Sequence, residues 1–198
     1  MGNPFAAEVI HPGDVVLDIG SGSGTDLLIA ALAVGPAGRA IGLDMTPAMR
    51  AKAAANARAM GADNVELLDG NAESIPLPDG SVDVVTSNGV INLVPDKAAA
   101  VREIHRVLRP GGRVQIADIV VGDVPSEACR SNPQLWAECI VGATTYADYR
   151  ESFRAAGFEA VEQLSELDYF AASSSESTRR TAGGFRACSI VMRARKPD

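Results

Sequence analysis

Short apolar runs alternate along this chain with longer segments whose apolar residues have helical spacing. The first run, residues 15–19, is short enough to be a buried strand, and similar runs follow at 39–43, 65–68, 81–87 and 113–121. Helices are predicted over 27–34 and 145–156, and two more are predicted to begin after the N-cap residues Thr46 and Asp96. This alternation is typical of an α/β fold with a doubly wound, mostly parallel sheet and helices on both of its faces.

The pattern changes after Gly157. Residues 158–164 and 187–195 are strand-like, no helix is predicted between them, and residues 173–177 are interpreted as a surface loop. The two runs could pair as a C-terminal antiparallel hairpin that closes the sheet. We therefore predict one domain over residues 1–198, with a sheet of seven strands.

A glycine-rich turn follows the first predicted strand, and together they read VLDIGSGSG. Glycines let backbone N–H groups approach a ligand and leave the next helix N-terminus facing it. The dinucleotide fingerprint G-x-G-x-x-G does not fit, because Thr25 or Leu27 stands at its sixth position. A nicotinamide oxidoreductase is therefore improbable. Asp44 ends the second strand, where such folds place an acid on ribose hydroxyls.

Composition narrows the possible partners. The net charge is −7, which argues against nucleic acid or an anionic membrane, since both need a basic face. No apolar run reaches the length of a membrane span, and the N-terminus lacks the pattern of a signal peptide. Three cysteines do not suggest a disulfide framework, so we predict a cytoplasmic protein. We predict no metal site, and the sequence does not indicate the oligomeric state.

The form D-x-G-x-G-x-G resembles motif I of S-adenosylmethionine-dependent methyltransferases, whose fold is Rossmann-like. A carboxylate beside the turn suits a ligand that carries an ammonium and a sulfonium and lacks a pyrophosphate. Almost the whole chain further resembles the arsenite methyltransferases. The stretches that carry this resemblance are Gly2-Asn3-Pro4, VLDIGSGSG, GLDMTP, SNGVINLVPDK, VLRPGG, ADIV and ECIVGA.

The resemblance implies S-adenosylmethionine as cofactor, and it implies roles by position. Asp18 and Gly20 would hold the methionine end, Asp44 would take the ribose, and Asn88 would lie beneath the methionine moiety. Met45 would pack on the adenine face, while Asn71 and Ala72 would bind the adenine edge. Asn71 is also consistent with plain turn chemistry. The implied cofactor set is Asp18, Gly20, Ser21, Gly22, Gly24, Asp44, Met45, Asn71, Ala72 and Asn88.

On the acceptor side the sequence departs from the family, whose members hold trivalent arsenic with several thiolates. Gly89 stands where the motif offers a cysteine, Cys139 matches another, and the sequence lacks a family cysteine upstream of Gly2. Cys129 and Cys188 could complete the site or could be small buried apolar residues. We therefore expect arsenite to be a poor substrate.

No catalytic residue is assigned, and the candidates are Asp118 and Cys139. Asp118 could be a general base for an oxygen or nitrogen acceptor, or it could be structural. An arsenic or sulfur acceptor would need no base, because its lone pair is available. Residues 123–143 form a long connection that we interpret as a lid over the acceptor pocket. We predict methyl transfer to a small-molecule acceptor; the alternative is cofactor binding with little or no turnover.

Overall fold

A computed structural model describes residues 2–3, 5, 9–124, 140 and 142–198. Within them a seven-stranded sheet has the order β3-β2-β1-β4-β5-β7-β6. Strands β1 to β5 are parallel to one another, and β7 pairs antiparallel with both β5 and β6. The strands are β1 Val15–Ile19, β2 Arg39–Leu43, β3 Val65–Leu68, β4 Val82–Asn88, β5 Leu108–Val120, β6 Glu159–Leu167 and β7 Cys188–Arg195. The predicted α/β fold class is confirmed.

Helices connect the strands and cover both faces of the sheet. In the described parts of the chain they are α1 Thr25–Val34, α2 Pro47–Met60, α3 Lys97–Val107, α4 Tyr146–Ala155 and α5 Glu176–Phe185, with a 3-10 turn at Ile91–Leu93. The side chain of Asp96 accepts a hydrogen bond from the Ala99 N–H, which caps α3 as predicted. None of the helices described is long and apolar enough to cross a membrane.

The core lies on both sides of the central strands, which explains why these strands are nearly continuous apolar runs. On one side, Tyr149 and Phe153 of α4 pack with Ile116 of β5 in a cluster that also includes residues of β1, β4 and α3. On the other side, Val16 of β1 packs against Leu27 and further residues of α1. Because both faces are covered, ligands can approach β1, β2 and β4 only along the edges of the sheet. The glycine turn and Asp44 lie at the carboxyl edge.

Three sequence predictions need correction. Helix α5 lies between β6 and β7, where no helix was predicted, and Ser175 of the supposed surface loop caps it by accepting from the Thr178 N–H. Strand β5 begins at Leu108 instead of Arg113, because Leu108 pairs with Val82 of β4 directly after α3 ends. Thr46 occupies the N-cap position of α2, but its side chain makes no capping hydrogen bond.

The predicted lid falls mostly outside the described residues. Of the segment 123–143, the structure describes residues 123–124, 140 and 142–143. Cys129 and Cys139 are among the residues that it does not describe. The lid therefore stays a prediction.

Candidate functional site

A cavity of about 280 Å³ opens at the carboxyl edge of the sheet. It lies between the end of β1 and the loops that follow β2, β3 and β4, where open α/β sheets bind their ligands. Its walls combine apolar side chains with a few polar groups, which is typical of small-molecule sites. The lining residues are Ile19, Gly20, Leu43, Asp44, Met45, Thr46, Gly70, Asn71, Ala72, Glu73, Val90, Leu93, Val94 and Pro95.

The carboxylate of Asp44 ties the glycine turn to the start of α2. One oxygen, Oδ2, accepts from the Gly22 N–H at 2.8 Å, and the other, Oδ1, accepts from the Thr46 N–H at 2.8 Å. A carboxylate has about four lone-pair positions, so two remain for a ligand. The Arg50 guanidinium donates to the Asp44 carbonyl at 2.7 Å and to Asp69 at 2.9 Å, which joins the loops after β2 and β3. Asp44 is therefore a fixed anionic acceptor at the mouth of the cavity.

Val90 closes the cavity over the glycine turn. It follows β4, and a Cβ atom placed on Gly20 would overlap with its side chain. Only glycine therefore allows the turn to pass under Val90. Leu93, which is about one-third exposed, continues the same apolar wall. This wall offers a surface on which a flat apolar group such as a nucleobase can pack.

Asp18 lies beneath the turn and does not line the cavity. Its Oδ1 atom accepts from the Thr86 hydroxyl at 2.9 Å. Burial raises the pKa of Asp18 to about 7, and the nearby carboxylates of Asp26 and Asp44 add to this, while hydrogen bonds from Thr86 and the Leu27 N–H oppose it. A cation bound close to this group would favour its ionised form.

The structure brings together five of the ten predicted cofactor residues on the cavity wall, namely Gly20, Asp44, Met45, Asn71 and Ala72. Ser21, Gly22 and Gly24 belong to the turn itself. Asn88 ends β4 outside the cavity, where its Nδ2 atom donates to Asp26 at 2.9 Å. Met45 is largely exposed, and the Asn71 side chain accepts from the Glu73 N–H at 3.1 Å, as expected for a turn residue.

Asp118, the candidate general base, is completely buried at the end of β5. Oδ2 accepts from the Asn92 N–H at 3.0 Å and the Tyr149 hydroxyl at 3.1 Å, and Oδ1 accepts from the Ile119 N–H at 2.9 Å. Burial raises the pKa of Asp118 to about 6, although the hydrogen bonds oppose the shift. Since Asp118 does not line the cavity and both of its oxygens are engaged, this arrangement favours the structural alternative.

Cys188 begins β7 opposite Val120, at the carboxyl edge of the sheet. Its side chain lines a separate cavity of about 430 Å³ together with Glu166 and Asp168. Burial raises the pKa of the Cys188 thiol to about 11, and both neighbouring carboxylates add to the shift. The group is therefore a neutral thiol at pH 7, and only the thiolate is a strong ligand for a soft centre.

Sequence reasoning missed several lining residues. Val90, Leu93 and Pro95 belong to the stretch SNGVINLVPDK, from which only Asn88 was selected as a cofactor residue. The apolar residues of that stretch carry no polar chemistry that would mark them as site residues. Glu73 and Thr46 were missed although each neighbours a predicted residue. Asp26 was missed because an acid in the first turn of a helix is ordinary.

A family model described as a methyltransferase domain matches residues 10–157. This range includes every element that forms the cavity. The chain belongs to this family. The predicted resemblance to S-adenosylmethionine-dependent methyltransferases is thereby confirmed.

Individual relatives narrow the resemblance to arsenite methyltransferases. An arsenite methyltransferase of Halobacterium salinarum is 41% identical over 196 residues, which are 99% of this chain and 50% of the relative. The arsenite methyltransferase of Rattus norvegicus is 36% identical over 152 residues, which are 72% of this chain and 41% of that relative. A crystal structure of an arsenic(III) S-adenosylmethionine methyltransferase from Chlamydomonas reinhardtii matches with a TM-score of 0.80 at 35% identity, and covers 96% of this chain and 65% of that one. The chain spans about half the length of the curated relatives it matches.

The acceptor groups and apolar side chains at the site fit S-adenosylmethionine. Asp44 offers free lone pairs for ribose hydroxyls, and Val90 and Leu93 offer an apolar wall for the base. Outside this cavity, Asp18 has a pKa of about 7, so a bound cation would favour its ionised form, and Oδ1 of Asn88 is buried with no hydrogen-bond partner among the residues that the structure describes. A carboxyl group that a cation ionises and an unused acceptor suit the ammonium of the methionine moiety.

Proposed function

We propose that the protein transfers the methyl group of S-adenosylmethionine to a small-molecule acceptor, in the manner of the arsenite methyltransferases. The observation that carries this proposal is the Asp44 carboxylate, which is held by the Gly22 N–H at the mouth of an apolar cavity on the carboxyl edge of the sheet. A cytoplasmic location and the lack of a nucleic-acid partner stay predictions from composition.

The chain's own residues would contribute binding, orientation and exclusion of water. Asp44 would hold the ribose hydroxyls, and Val90 and Leu93 would keep water from the adenosine. When bound, S-adenosylmethionine supplies a methyl carbon that its sulfonium activates for in-line displacement. Asp18 would place negative charge beside the cationic methionine end. The remaining predicted residues, Gly20, Ser21, Gly22, Gly24, Met45, Asn71, Ala72 and Asn88, would complete the cofactor site.

The acceptor that we propose is a soft nucleophile with an available lone pair, such as a small thiol, and arsenite stays a predicted poor substrate. Oxygen and nitrogen acceptors need a base in the transition state. Among the described residues, the one candidate base selected from the sequence, Asp118, has both oxygens engaged within the core. A lone-pair acceptor avoids this requirement.

Residues 123–143 are proposed to cover the acceptor pocket. Support comes from the described start of this segment, where the Asp123 carboxylate accepts two hydrogen bonds from the Arg186 guanidinium, each at 3.1 Å. The Asp123 N–H also donates to the Phe185 carbonyl at the end of α5. The segment thus starts from a fixed point at the carboxyl edge.

Isothermal titration with S-adenosylhomocysteine tests the cofactor site. Asp44→Ala removes a charged acceptor, so we expect the affinity to fall by about 1.5–3 kcal/mol, or roughly 10- to 150-fold. Asp69→Ala is the matched control, because Asp69 follows the next strand and also contacts Arg50 but does not line the cavity. The control should stay within about threefold of the wild type.

NADH should not bind, and a screen for release of S-adenosylhomocysteine with arsenite and small thiols should reveal the acceptor. Binding of NADH, or unchanged affinity in Asp44→Ala, would contradict the proposal. Tight binding of S-adenosylhomocysteine with no turnover on any acceptor would favour the alternative of a cofactor-binding protein.

A further inference from the structure

The side-chain amide of Asn88 is held in one orientation at the end of β4. Its Nδ2 atom donates to Oδ2 of Asp26 at 2.9 Å and to the carbonyl of Gly2 at 3.3 Å. A carboxylate and a carbonyl can only accept hydrogen bonds. The amide nitrogen must therefore face these two groups, and the opposite orientation would set three acceptors against one another.

The fixed orientation leaves the amide oxygen of Asn88 without a donor in the described part of the chain, where Oδ1 is buried and has no hydrogen-bond partner. A buried acceptor in this state is costly and needs a donor from a ligand or water. The ammonium of the methionine moiety carries three N–H donors and can supply one of them to this oxygen.

The same amide nitrogen also binds Gly2, which packs against the sheet. A Cβ atom on Gly2 would lie 2.9 Å from Val191 Cγ2 and 3.1 Å from Ala117 Cβ, so the backbone of Gly2 lies directly on β5 and β7. Asn88 thus connects β4, the first turn of α1 and Gly2.

We propose that Asp26 is a positioning residue for the methyl donor. It fixes the amide of Asn88 so that the amide oxygen accepts from the ammonium of the methionine moiety, while the amide nitrogen donates to Asp26 and to the Gly2 carbonyl. This inference rests on the proposed function, because it requires S-adenosylmethionine as the ligand. Asp26 acts through Asn88, so its negative charge is not needed for contact with the ligand.

Calorimetric titration with two ligands tests this role. S-adenosylhomocysteine carries the ammonium, whereas 5′-methylthioadenosine has the same nucleoside and lacks the amino-acid end. We expect Asp26→Ala and Asn88→Ala each to weaken S-adenosylhomocysteine by about 10- to 100-fold, and to leave 5′-methylthioadenosine within about threefold. The double variant should bind no more weakly than Asn88→Ala alone, because both changes remove one interaction.

The conservative variant Asp26→Asn separates positioning from direct charge. Its amide oxygen can still accept from Asn88, so we expect S-adenosylhomocysteine to bind within about threefold of the wild type. Loss of affinity equal to that of Asp26→Ala would overturn the inference, since the charge itself would then bind the ligand. Equal weakening of 5′-methylthioadenosine would also overturn it. If the wild type binds neither ligand, the proposed function fails instead.

Discussion

Asp118→Asn tests whether the buried carboxyl at the end of β5 is structural. The substitution keeps the shape of the side chain and removes its ability to ionise. The wild-type carboxyl accepts from the N–H groups of Asn92 and Ile119 and from the Tyr149 hydroxyl. Tyr149 itself has a pKa well above its usual value, because it is buried and next to Asp118. It therefore stays a neutral donor throughout the range of interest.

The magnitude follows from the pKa of Asp118, which burial raises from 3.8 to about 6 in the folded protein, with Lys97 and the hydrogen bonds opposing. Each pH unit of such a difference corresponds to about 1.4 kcal/mol, so ionising Asp118 in the folded state costs about 3 kcal/mol. The folded state holds this proton more tightly than the unfolded state. The stability that the neutral carboxyl provides is thus fully present below pH 4 and is lost as the pH rises through 6.

Urea unfolding of wild type and Asp118→Asn between pH 4 and pH 8 measures this difference. The wild-type free energy of unfolding, relative to that of the variant, should fall by roughly 2–3 kcal/mol across the range. Asp63→Asn, a change on an exposed side chain, controls for net charge. A difference that stays constant with pH would refute the reasoning. If Asp118 were instead the general base, its variant would bind S-adenosylhomocysteine normally and lose turnover at every pH.

Two further predictions concern the acceptor side. Gly89 has a φ of +73°, which a cysteine adopts only with strain of about 1–2 kcal/mol, so Gly89→Cys should lower stability by that amount and still raise arsenite turnover above the low wild-type level. Gly89→Ala has the same strain without the thiol and should not raise turnover; equal gains in both variants would contradict the thiol argument. Limited proteolysis should show protection of residues 123–143 when S-adenosylhomocysteine and an acceptor are added together, and unchanged cleavage would count against the lid.

The sequence predicted the bounds of β1, β2 and β4 to within one residue, because these central strands are buried on both faces and therefore consist mostly of apolar residues. The sequence also predicted the position of Asp44, because its distance from the glycine turn places it at the end of β2. Asp18 shows the limit of this reasoning. The motif places its carboxyl beside the ligand, but only the structure shows that it lies under the turn, bonded to Thr86.

Helix α5 was missed because its local signals are weak. The segment contains Gly183 and Gly184 and several Ser and Thr residues, all of which disfavour a helix on their own. Thr178 and Ala182 are its buried residues, and Ala182 packs in a small cluster with Ile119 and Phe170. Tertiary contacts that join distant parts of the chain decide this element. The bonds of Asn88 to Gly2 and Asp26 are equally non-local, and no spacing in the sequence indicates them.

The place of β7 in the sheet has a consequence for the order in which the chain can fold. β7 follows β6 in the sequence but lies between β5 and β6, paired with both. During synthesis β6 therefore leaves the ribosome before β7, the strand with which it pairs. Pairing of β5 with β7 also has to close a long loop, which slows folding. The parallel half of the sheet, with its glycine turn and Asp44, can assemble during synthesis, whereas the antiparallel half has to wait until residues 188–195 have emerged.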